Sequence, residues 1–356
     1  MRKHICTLPG DGVGPEVTAE AVKVLKAIAK RFDYNFTFQE ALIGACAIDE
    51  TGNPLPQASI DACAASDAIL LGAVGMPKYD NDPTAKVRPE QGLLALRKTF
   101  GLYANIRPVA TYEKLYDFSP LREERIKGVD FVVYRELTGG AYFGEKGRNE
   151  AGDAAFDTIT YNRMEVERIA HMAFKAAMVR RKKVTLVDKA NVLETSRLWR
   201  ETVDIIAKEY PEVTLEKMFV DNAAMQLIQW PAQFDVMLTE NMFGDILTDE
   251  ASVITGSIGL LPSASVGDSV ALFEPIHGSY PQAAGKNIAN PFGAILSTAM
   301  LLDHFEAFEA AQVVRDAIDQ ALTAGQVGQD IDADNFLSTT ELGDVIAGYV
   351  LAKAEA

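Results

Sequence analysis

The sequence predicts an α/β protein whose sheet is substantially parallel. Short apolar runs alternate with amphipathic stretches along most of the 356 residues, which is the pattern of strands connected by helices. The apolar runs are residues 68–74, 130–137, 183–189, 216–222 and 234–240. Helical spacing of apolar residues is clearest in residues 163–183 and 313–325. With 48% hydrophobic residues the chain can bury a large core, and its length predicts two domains or lobes.

The stretch LPGDGVGPEV, residues 8–17, begins like a dinucleotide-binding turn, since an apolar run precedes it and a helical pattern follows. A Rossmann turn requires a third glycine at position 15, so that helix and strand can pack closely. Pro15 occupies that position, and proline is favoured in the first turn of a helix. We therefore predict a strand, a turn and a helix, and no Rossmann nucleotide site. The inner face of that helix should carry Val17, Ala21, Val24, Leu25 and Ile28.

Charge and composition exclude two classes of partner. The chain has 34 basic and 50 acidic residues, a net charge of −16, so its surface repels the phosphates of nucleic acids and membranes. No stretch is apolar enough to span a bilayer, and residues 1–12 lack a signal-peptide core. The three cysteines, Cys6, Cys46 and Cys63, have no metal-ligand spacing. A reduced, cytoplasmic setting is therefore expected.

Two segments interrupt the alternation of strands and helices. Residues 143–162 are polar and rich in glycine, which is typical of a surface loop or of a β-arm that reaches another subunit. Residues 277–291, HGSYPQAAGKNIANP, are rich in Gly, Pro and Asn. Exposed backbone N–H groups there, with His277 and Asn290, could hold an adenine nucleotide without a Rossmann turn. On the residues alone, each segment can equally be a plain loop.

Three aspartates are candidate ligands of a divalent cation. Asp245 and Asp249 are four residues apart in a helical pattern, which places both carboxylates on one face. Like charges repel there unless a cation lies between them. On its own, such a pair more often belongs to a solvated helix face than to a metal site. Asp221 ends the apolar run KMFVDN, and strand ends in α/β sheets commonly meet ligands. Oxygen ligands of this kind suit Mg²⁺ or Mn²⁺.

Basic and phenolic residues could bind and process an anionic substrate. Arg97, Arg107 and Arg135 lie at the edges of apolar segments, and guanidinium groups bind carboxylates bidentately. Singly, each is more often a surface or salt-bridged arginine; beside a divalent cation, they favour a substrate with several carboxylates. Lys189 follows a predicted strand and could act as a general base. Tyr142, in a glycine-rich stretch, could donate a proton.

The combined motifs resemble the β-decarboxylating dehydrogenases of the isocitrate/isopropylmalate dehydrogenase family. The similar stretches follow in order over nearly the whole chain: LPGDGVGPEV, GLLALRK, NIRPV, RELTGGAYFGEKG, VDKANVLETSRLWR, VDNAAMQLI, ENMFGDILTDEAS and HGSYPQAAGKNIANP. The resemblance implies an α/β fold that is not Rossmann, with two lobes sharing a central sheet. Residues 1–102 and 256–356 would form the cofactor-binding lobe. Residues 103–255 would form the dimerisation, metal and substrate lobe, with an interlocking arm within residues 143–162.

The resemblance also implies roles for the candidate residues, as follows. Three arginines would bind the carboxylates of a substituted malate: Arg97, Arg107 and Arg135. Three aspartates would hold Mg²⁺ or Mn²⁺ and meet the substrate: Asp221, Asp245 and Asp249. Lys189 and Asp221 would come from the neighbouring subunit of a homodimer. Lys189 would accept the proton of the C2 hydroxyl while hydride leaves for the nicotinamide, and Tyr142 would protonate C3 once CO₂ has left.

Substrate and cofactor choice are implied by two segments. Leu93, Leu94 and Val192 of the neighbouring subunit would form an apolar wall for an isopropyl group. The implied activity is oxidative decarboxylation of 3-isopropylmalate to 2-oxo-4-methylpentanoate with reduction of NAD, in leucine biosynthesis. The residues implied to bind the cofactor are Glu90, Asn191, His277, Gly278, Ser279, Gln282, Ala283, Gly285, Lys286 and Asn290. Many NAD-using relatives have aspartate where this chain has Gln282, so exclusion of NADP is expected to be less strict.

Several alternatives stay open on the sequence. Isocitrate and homoisocitrate are disfavoured as substrates by Leu93 and Leu94, whereas D-malate and tartrate are excluded less firmly. A metal-dependent phosphoryl hydrolase could use three aspartates but would not need Tyr142, Lys189 and the loop 277–291 together. A non-catalytic subunit would tend to lack catalytic or metal positions, which are all intact here.

Overall fold

The computed structural model describes residues 1–82 and 84–352, in which strands and helices alternate. The strands are β1 (Arg2–Gly10), β2 (Asn35–Glu40), β3 (Ala68–Ala73), β4 (Ala104–Ala110), β5 (Asp130–Glu136), β6 (Lys146–Arg148), β7 (Ala155–Asp157), β8 (Lys183–Asp188), β9 (Thr214–Phe219), β10 (Val236–Thr239), β11 (Pro262–Val266) and β12 (Ala271–Pro275). The α-helices are α1 (Gly14–Phe32), α2 (Ala45–Thr51), α3 (Gln57–Ala64), α4 (Pro77–Asp80), α5 (Pro89–Thr99), α6 (Glu123–Ile126), α7 (Arg163–Met178), α8 (Glu194–Ala207), α9 (Val220–Gln229), α10 (Asn241–Ser252), α11 (Phe292–His304), α12 (Phe308–Thr323) and α13 (Thr339–Leu351). The predicted α/β class is confirmed.

Residues 1–100 and the described chain from residue 256 form one compact unit. Its strands follow the order β2-β1-β3-β12-β11. β1 pairs in parallel with β2 and β3, and β12 pairs in parallel with β3, whereas β11 and β12 are antiparallel. Every residue of β3 is buried, as expected of a central parallel strand. α1 covers β1 and β3 and packs against α11 and α13.

The first helix has the inner face that its sequence predicts. Its buried apolar residues include Val17, Ala21, Val24, Leu25 and Ile28, and Pro15 stands in its first turn. Gly12, with a φ of +61°, permits a close approach, because a Cβ there would lie 1.9 Å from the carbonyl oxygen of Ser279. The N–H of Val13 donates to the same oxygen at 2.8 Å. The turn after β1 therefore supports the loop 277–291 rather than forming a Rossmann turn.

Residues 101–255 form the second compact unit. Its strands follow the order β4-β5-β10-β8-β9, with an antiparallel β4–β5 pair and parallel pairs from β5 to β9. The apolar core includes Phe131, Phe234, Met237 and Leu247. Within residues 143–162, β6 and β7 form a separate antiparallel hairpin whose side chains are largely exposed. The role of that hairpin as an arm between subunits stays a prediction.

Two boundaries differ from the sequence prediction. The run 216–222 is not one strand, because β9 ends at Phe219 and α9 begins at Val220. The helix predicted around residues 163–183 ends at Met178, and β8 begins at Lys183. The sheet pairs are mostly parallel, with antiparallel exceptions at β4–β5 and β11–β12.

Within residues 1–82 and 84–352, no helix combines the length and apolar character needed to cross a bilayer.

Candidate active site

Two buried arginines on the paired strands β4 and β5 form the base of the first cluster. Arg107 is 9% exposed; its Nε donates to Oδ1 of Asn105 at 2.7 Å, and its NH1 donates to Oγ1 of Thr248 at 2.6 Å. Arg135 is 3% exposed and lies opposite Asn105 in the β4–β5 ladder. Buried guanidinium groups are held in fixed orientations by such hydrogen bonds, so they can present charge to an anionic ligand.

The two aspartates of α10 face these arginines. Oδ1 of Asp245 lies 2.5 Å from NH1 of Arg135 and 3.8 Å from NH2 of Arg107. Oδ1 of Asp249 lies 3.5 Å from NH1 of Arg107. The i, i+4 spacing thus places both carboxylates on one face of the helix, as the sequence predicts. At Gly244, a Cβ would lie 2.6 Å from Cγ of Arg135, so this glycine lets the helix approach β5.

Tyr142 joins this cluster from the 3-10 helix Gly140–Tyr142. Its hydroxyl donates to Oδ2 of Asp245 at 2.8 Å, and the guanidinium carbon of Arg135 lies 5.8 Å from its ring centroid. Partial burial and the Asp245 carboxylate raise the pKa of Tyr142 to about 12. The phenol therefore keeps its proton at neutral pH and can act as a proton donor.

Lys189 and Asp221 form a second, separate cluster. Nζ of Lys189, just after β8, lies 2.7 Å from Oδ2 of Asp221, and this hydrogen bond lowers the pKa of the Asp221 carboxyl. The sequence predicts that Asp221 ends a strand. In the structure it instead lies in the first turn of α9. Asn191 and Val192 are exposed in the turn that follows Lys189. The cluster therefore opens to solvent.

The expected trio of metal-binding aspartates is not assembled within one chain. In the part of the chain that the structure describes, no three His, Cys, Asp or Glu side chains are grouped to hold a metal ion. Asp245 and Asp249 share one face of α10, whereas Asp221 pairs with Lys189. A third carboxylate ligand would therefore have to come from elsewhere.

The first unit carries Arg97 and its neighbours on α5. Leu93 and Leu94 are half-buried and lie one helical turn before Arg97, so the three side chains share a face. NH2 of Arg97 lies 3.1 Å from Oε1 of Glu274, while its buried Nε has no hydrogen-bond partner among the residues that the structure describes. Glu90 is exposed in the first turn of the same helix. Apolar and cationic groups thus stand side by side on α5.

The loop 277–291 borders a pocket of about 420 Å³ in the same unit. Nδ1 of His277 donates to the carbonyl oxygen of Gly278 at 2.9 Å, and its buried Nε2 has no hydrogen-bond partner within residues 1–82 and 84–352. Burial lowers the pKa of His277. Nδ2 of Asn290 donates to Asp330 at 3.1 Å. The lining residues are Val13, Ser257, Ile258, Gly259, His277, Gly278, Tyr280, Ile288, Ala289, Asn290, Gln329 and Asp330.

The other predicted residues of this loop lie outside that lining. Gln282 and Lys286 are exposed, whereas Ala283 is buried. The N–H of Gly285 donates to Oε1 of Glu16 on α1 at 2.6 Å, and Ser279 accepts from Val13 as described above. These contacts fix the loop on the start of α1. The loop therefore borders a pocket, and its role in holding a cofactor stays a prediction.

Asp330 and Asn241 are among the site residues that the sequence reasoning missed. Asp330 lines the pocket and accepts a hydrogen bond from Asn290. It lies 40 residues further along the chain than Asn290, in a polar stretch. Asn241 is fully buried and accepts hydrogen bonds from Arg135. Its place in the first turn of the helix that carries Asp245 was the available signal, since the first residues of helices often bond to neighbouring segments.

Comparison with known proteins places these features in one family of enzymes. The sequence model described as isocitrate/isopropylmalate dehydrogenase matches residues 4–346. A 3-isopropylmalate dehydrogenase of Priestia megaterium is 54% identical, covering 98% of this chain and 96% of that protein. The enzyme of the same description from Bacillus subtilis is 53% identical, covering 99% and 98%.

Solved structures show the same likeness in three dimensions. The crystal structure of isocitrate dehydrogenase from Methylococcus capsulatus matches with a TM-score of 0.88 and 34% identity, covering 98% of this chain and 99% of that one. A β-decarboxylating dehydrogenase from Thermococcus kodakarensis, in its apo form, matches with a TM-score of 0.81 and 36% identity, covering 98% and 96%. The fold is therefore shared over essentially the whole chain.

Proposed function

This chain belongs to the isocitrate/isopropylmalate dehydrogenase family, and on that premise we propose that it oxidises and decarboxylates 3-isopropylmalate. The product is 2-oxo-4-methylpentanoate, NAD is reduced, and the reaction serves leucine biosynthesis in the cytoplasm. The observation that carries the proposal is the cluster of Arg107, Arg135, Tyr142 and the two α10 aspartates, in a chain similar over its full length to 3-isopropylmalate dehydrogenases.

Arginines would bind the two carboxylates of the malate. Arg107 and Arg135 are suited to this because their guanidinium groups are buried and already oriented. Arg97 would serve the same substrate from α5. The adjacent Leu93 and Leu94, with Val192 of a second copy, would receive the isopropyl group. An apolar wall is worth about 1–3 kcal/mol per methylene, so smaller malates would react more slowly.

The donor set suits a divalent cation. Asp245 and Asp249 offer hard carboxylate oxygens from one helix face, and Asp221 of a second copy would complete the set. Bound Mg²⁺ or Mn²⁺ polarises the substrate's C2 oxygen. Lys189 would accept the proton of the C2 hydroxyl as hydride leaves C2. Tyr142, protonated because its pKa is about 12, would give its proton to C3 after CO₂ has departed.

NAD would be held by the pocket beside the loop 277–291. The buried, unpartnered Nε2 of His277 and the amide of Asn290 supply polar groups, while Ile288 supplies apolar surface. NAD held there would supply the acceptor for the hydride. Gln282 would lie beside the adenosine ribose, and Glu90 and Asn191 beside the nicotinamide. Because Gln282 carries no charge, it would favour NAD without strongly repelling the 2′-phosphate of NADP.

A homodimer with shared active sites is supported by the surface of α9 and α10. Met225 and Ile228 on α9 and Ile246 on α10 are each more than half exposed, which is unusual for large apolar side chains on adjacent helices. Asp221 precedes Met225 by one turn, and Asp249 follows Ile246 by one turn. A second copy covering this face would bring its Lys189–Asp221 pair toward Asp245 and Asp249.

The proposal is tested by following NADH formation with Mg²⁺ present. Rates with 3-isopropylmalate, isocitrate and D-malate are compared, first with NAD and then with NADP. We expect a strong preference for 3-isopropylmalate with NAD. Preference for another hydroxy acid would refute the roles of Leu93 and Leu94, and lack of turnover with all three acids would refute the proposed activity.

A further inference from the structure

Asn241 connects two segments that carry proposed active-site residues. This amide is the first residue of α10 and is completely buried. Its Oδ1 accepts hydrogen bonds from Nε of Arg135 at 3.0 Å and from NH2 of Arg135 at 2.8 Å. Its Nδ2 donates to the carbonyl oxygen of Gly139 at 3.1 Å. Because a guanidinium only donates and a carbonyl only accepts, the amide has a single orientation that satisfies both.

The position of Asn241 is itself fixed by buried partners. Its backbone N–H donates to the hydroxyl of Tyr161 at 3.0 Å, and that hydroxyl donates to Oε2 of Glu240 at 3.2 Å. The Glu240 side chain caps α10 by accepting from the N–H of Phe243 at 2.6 Å. Gly140, with a φ of +74°, lies against Tyr161, since a Cβ there would be 2.4 Å from the Tyr161 hydroxyl. The turn before Tyr142 and the start of α10 are therefore locked to each other.

The chemistry of the amide matters for this arrangement. Being neutral, it orients Arg135 without neutralising its positive charge, so NH1 is directed at Asp245 and the guanidinium keeps its charge for an anionic substrate. A carboxylate at position 241 could accept from Arg135 but could not donate to Gly139. An apolar side chain could do neither and would leave the buried Gly139 carbonyl oxygen without this partner.

We propose that Asn241 is a positioning residue that holds Arg135 and the Tyr142 turn in one arrangement. Substrate binding and proton donation therefore weaken together when this amide is removed. The inference rests on the proposed function, in which Arg135 binds a carboxylate and Tyr142 donates the proton. It adds to that function a residue that contacts neither substrate nor cofactor and acts through two that do.

The test compares Asn241→Ala with Asn105→Ala in the full-length protein. Asn105 is an equally buried amide whose Oδ1 accepts from Nε of Arg107, so it is a matched control for loss of an arginine contact. The dissociation constant of 3-isopropylmalate is measured by calorimetry with Mg²⁺ and without NAD, and kcat is measured separately. For Asn241→Ala we expect about tenfold weaker binding and about tenfold lower kcat. For Asn105→Ala, which leaves the contact between Asn241 and Gly139 intact, we expect weaker binding and a smaller loss of kcat than for Asn241→Ala.

A double-variant cycle separates positioning from general loss of structure. Because Asn241 influences proton donation through Tyr142, the kcat of Asn241→Ala/Tyr142→Phe should be no lower than that of Tyr142→Phe alone. If the fold-loss of kcat in the double variant equals the product of the losses in the two single variants, the link between Asn241 and Tyr142 is refuted. Should Asn241→Ala fail to fold, Asn241→Asp keeps the size and the acceptor for Arg135 and should still lower kcat about fivefold, through the lost Gly139 contact.

The outcomes for this inference and for the proposed function are distinct. An active wild type whose Asn241→Ala and Asn241→Asp variants keep both wild-type binding and wild-type kcat would overturn the positioning role alone. If wild type oxidises a different hydroxy acid, the same comparison is made with that acid. A wild type that neither binds nor oxidises any of the tested acids would overturn both.

Discussion

The hydroxyl of Tyr142 donates a 2.8 Å hydrogen bond to Oδ2 of Asp245. This contact joins the proposed proton donor to a proposed metal ligand. Together with partial burial, the Asp245 carboxylate raises the pKa of Tyr142 to about 12, so the phenol stays protonated over the physiological pH range. The other oxygen of Asp245 meets Arg135, and one carboxylate therefore orients both a donor and a cation.

Replacing Tyr142 by phenylalanine tests its role as the proton donor. We expect kcat to fall roughly 100-fold or more, because a positioned general acid contributes about 10²–10⁴-fold. KM for the substrate should change little, since the arginines remain. Steady-state kinetics provide the measurement. Tyr134→Phe is the matched control: Tyr134 lies buried on β5, outside the proposed machinery, and this variant should retain wild-type kcat.

Cofactor choice is tested at Gln282. Gln282→Asp introduces a carboxylate that repels the 2′-phosphate of NADP, so kcat/KM with NADP should fall about tenfold while that with NAD is maintained or improves. Gln320→Asp, on the distant helix α12, adds the same charge as a control. Equal losses with both cofactors in Gln282→Asp would contradict a position beside the ribose.

The buried carboxylate of Asp11 is expected to be a principal determinant of stability in the first unit. It is 3% exposed and accepts from the N–H groups of Ala45, Cys46 and Gly75 at 2.8–2.9 Å. Asp11→Ala leaves three amide donors without this partner, so the free energy of unfolding should fall by about 3 kcal/mol or more. Urea denaturation measures this loss, and Asp11→Asn, which keeps one acceptor, should lose less. A loss below about 1 kcal/mol for alanine would contradict this role.

Burial of His277 predicts a pH dependence of stability. Its pKa in the folded chain is lowered, so the unfolded chain binds the proton more readily. Stability from this group is therefore lost as pH falls below the ordinary histidine pKa of about 6.5. Lowering the pH from 7 to 5 should therefore reduce the unfolding free energy of wild type more than that of His277→Gln. His304→Gln is measured alongside, because burial lowers the pKa of His304 too. A difference for His277→Gln that does not vary with pH would refute the prediction.

The sequence predicts those parts of the fold and site that depend on local spacing. The inner face of α1 and the placement of Asp245 and Asp249 on one face of α10 both follow from helical periodicity. The sequence prediction missed the boundary at Phe219 because the apolar residues Met218, Phe219 and Val220 continue across the junction from β9 into α9. Apolar character alone does not distinguish a strand end from the start of a helix.

Contacts between distant segments could not be predicted in this way. Asn241 and Gly139 are 102 residues apart, and Asn290 and Asp330 are 40 apart. Their hydrogen bonds depend on tertiary packing, and side chains such as Asn and Asp are also common in turns and loops. The separation of Asp221 from Asp245 and Asp249 within one chain does not follow from residue spacing either; only the family resemblance implied it, by assigning Asp221 to the site of the neighbouring subunit.

We propose that each active site takes Tyr142 and Lys189 from different copies of the chain. Lys189→Met and Tyr142→Phe homodimers should each be nearly inactive. We would co-express the two variants with different affinity tags, purify the heterodimer through both tags and measure NADH formation with 3-isopropylmalate. One of its two sites then contains an intact Tyr142 and an intact Lys189, so about half of the wild-type activity should return. A heterodimer as inactive as its parents would contradict the claim, because both residues would then serve a site within one chain.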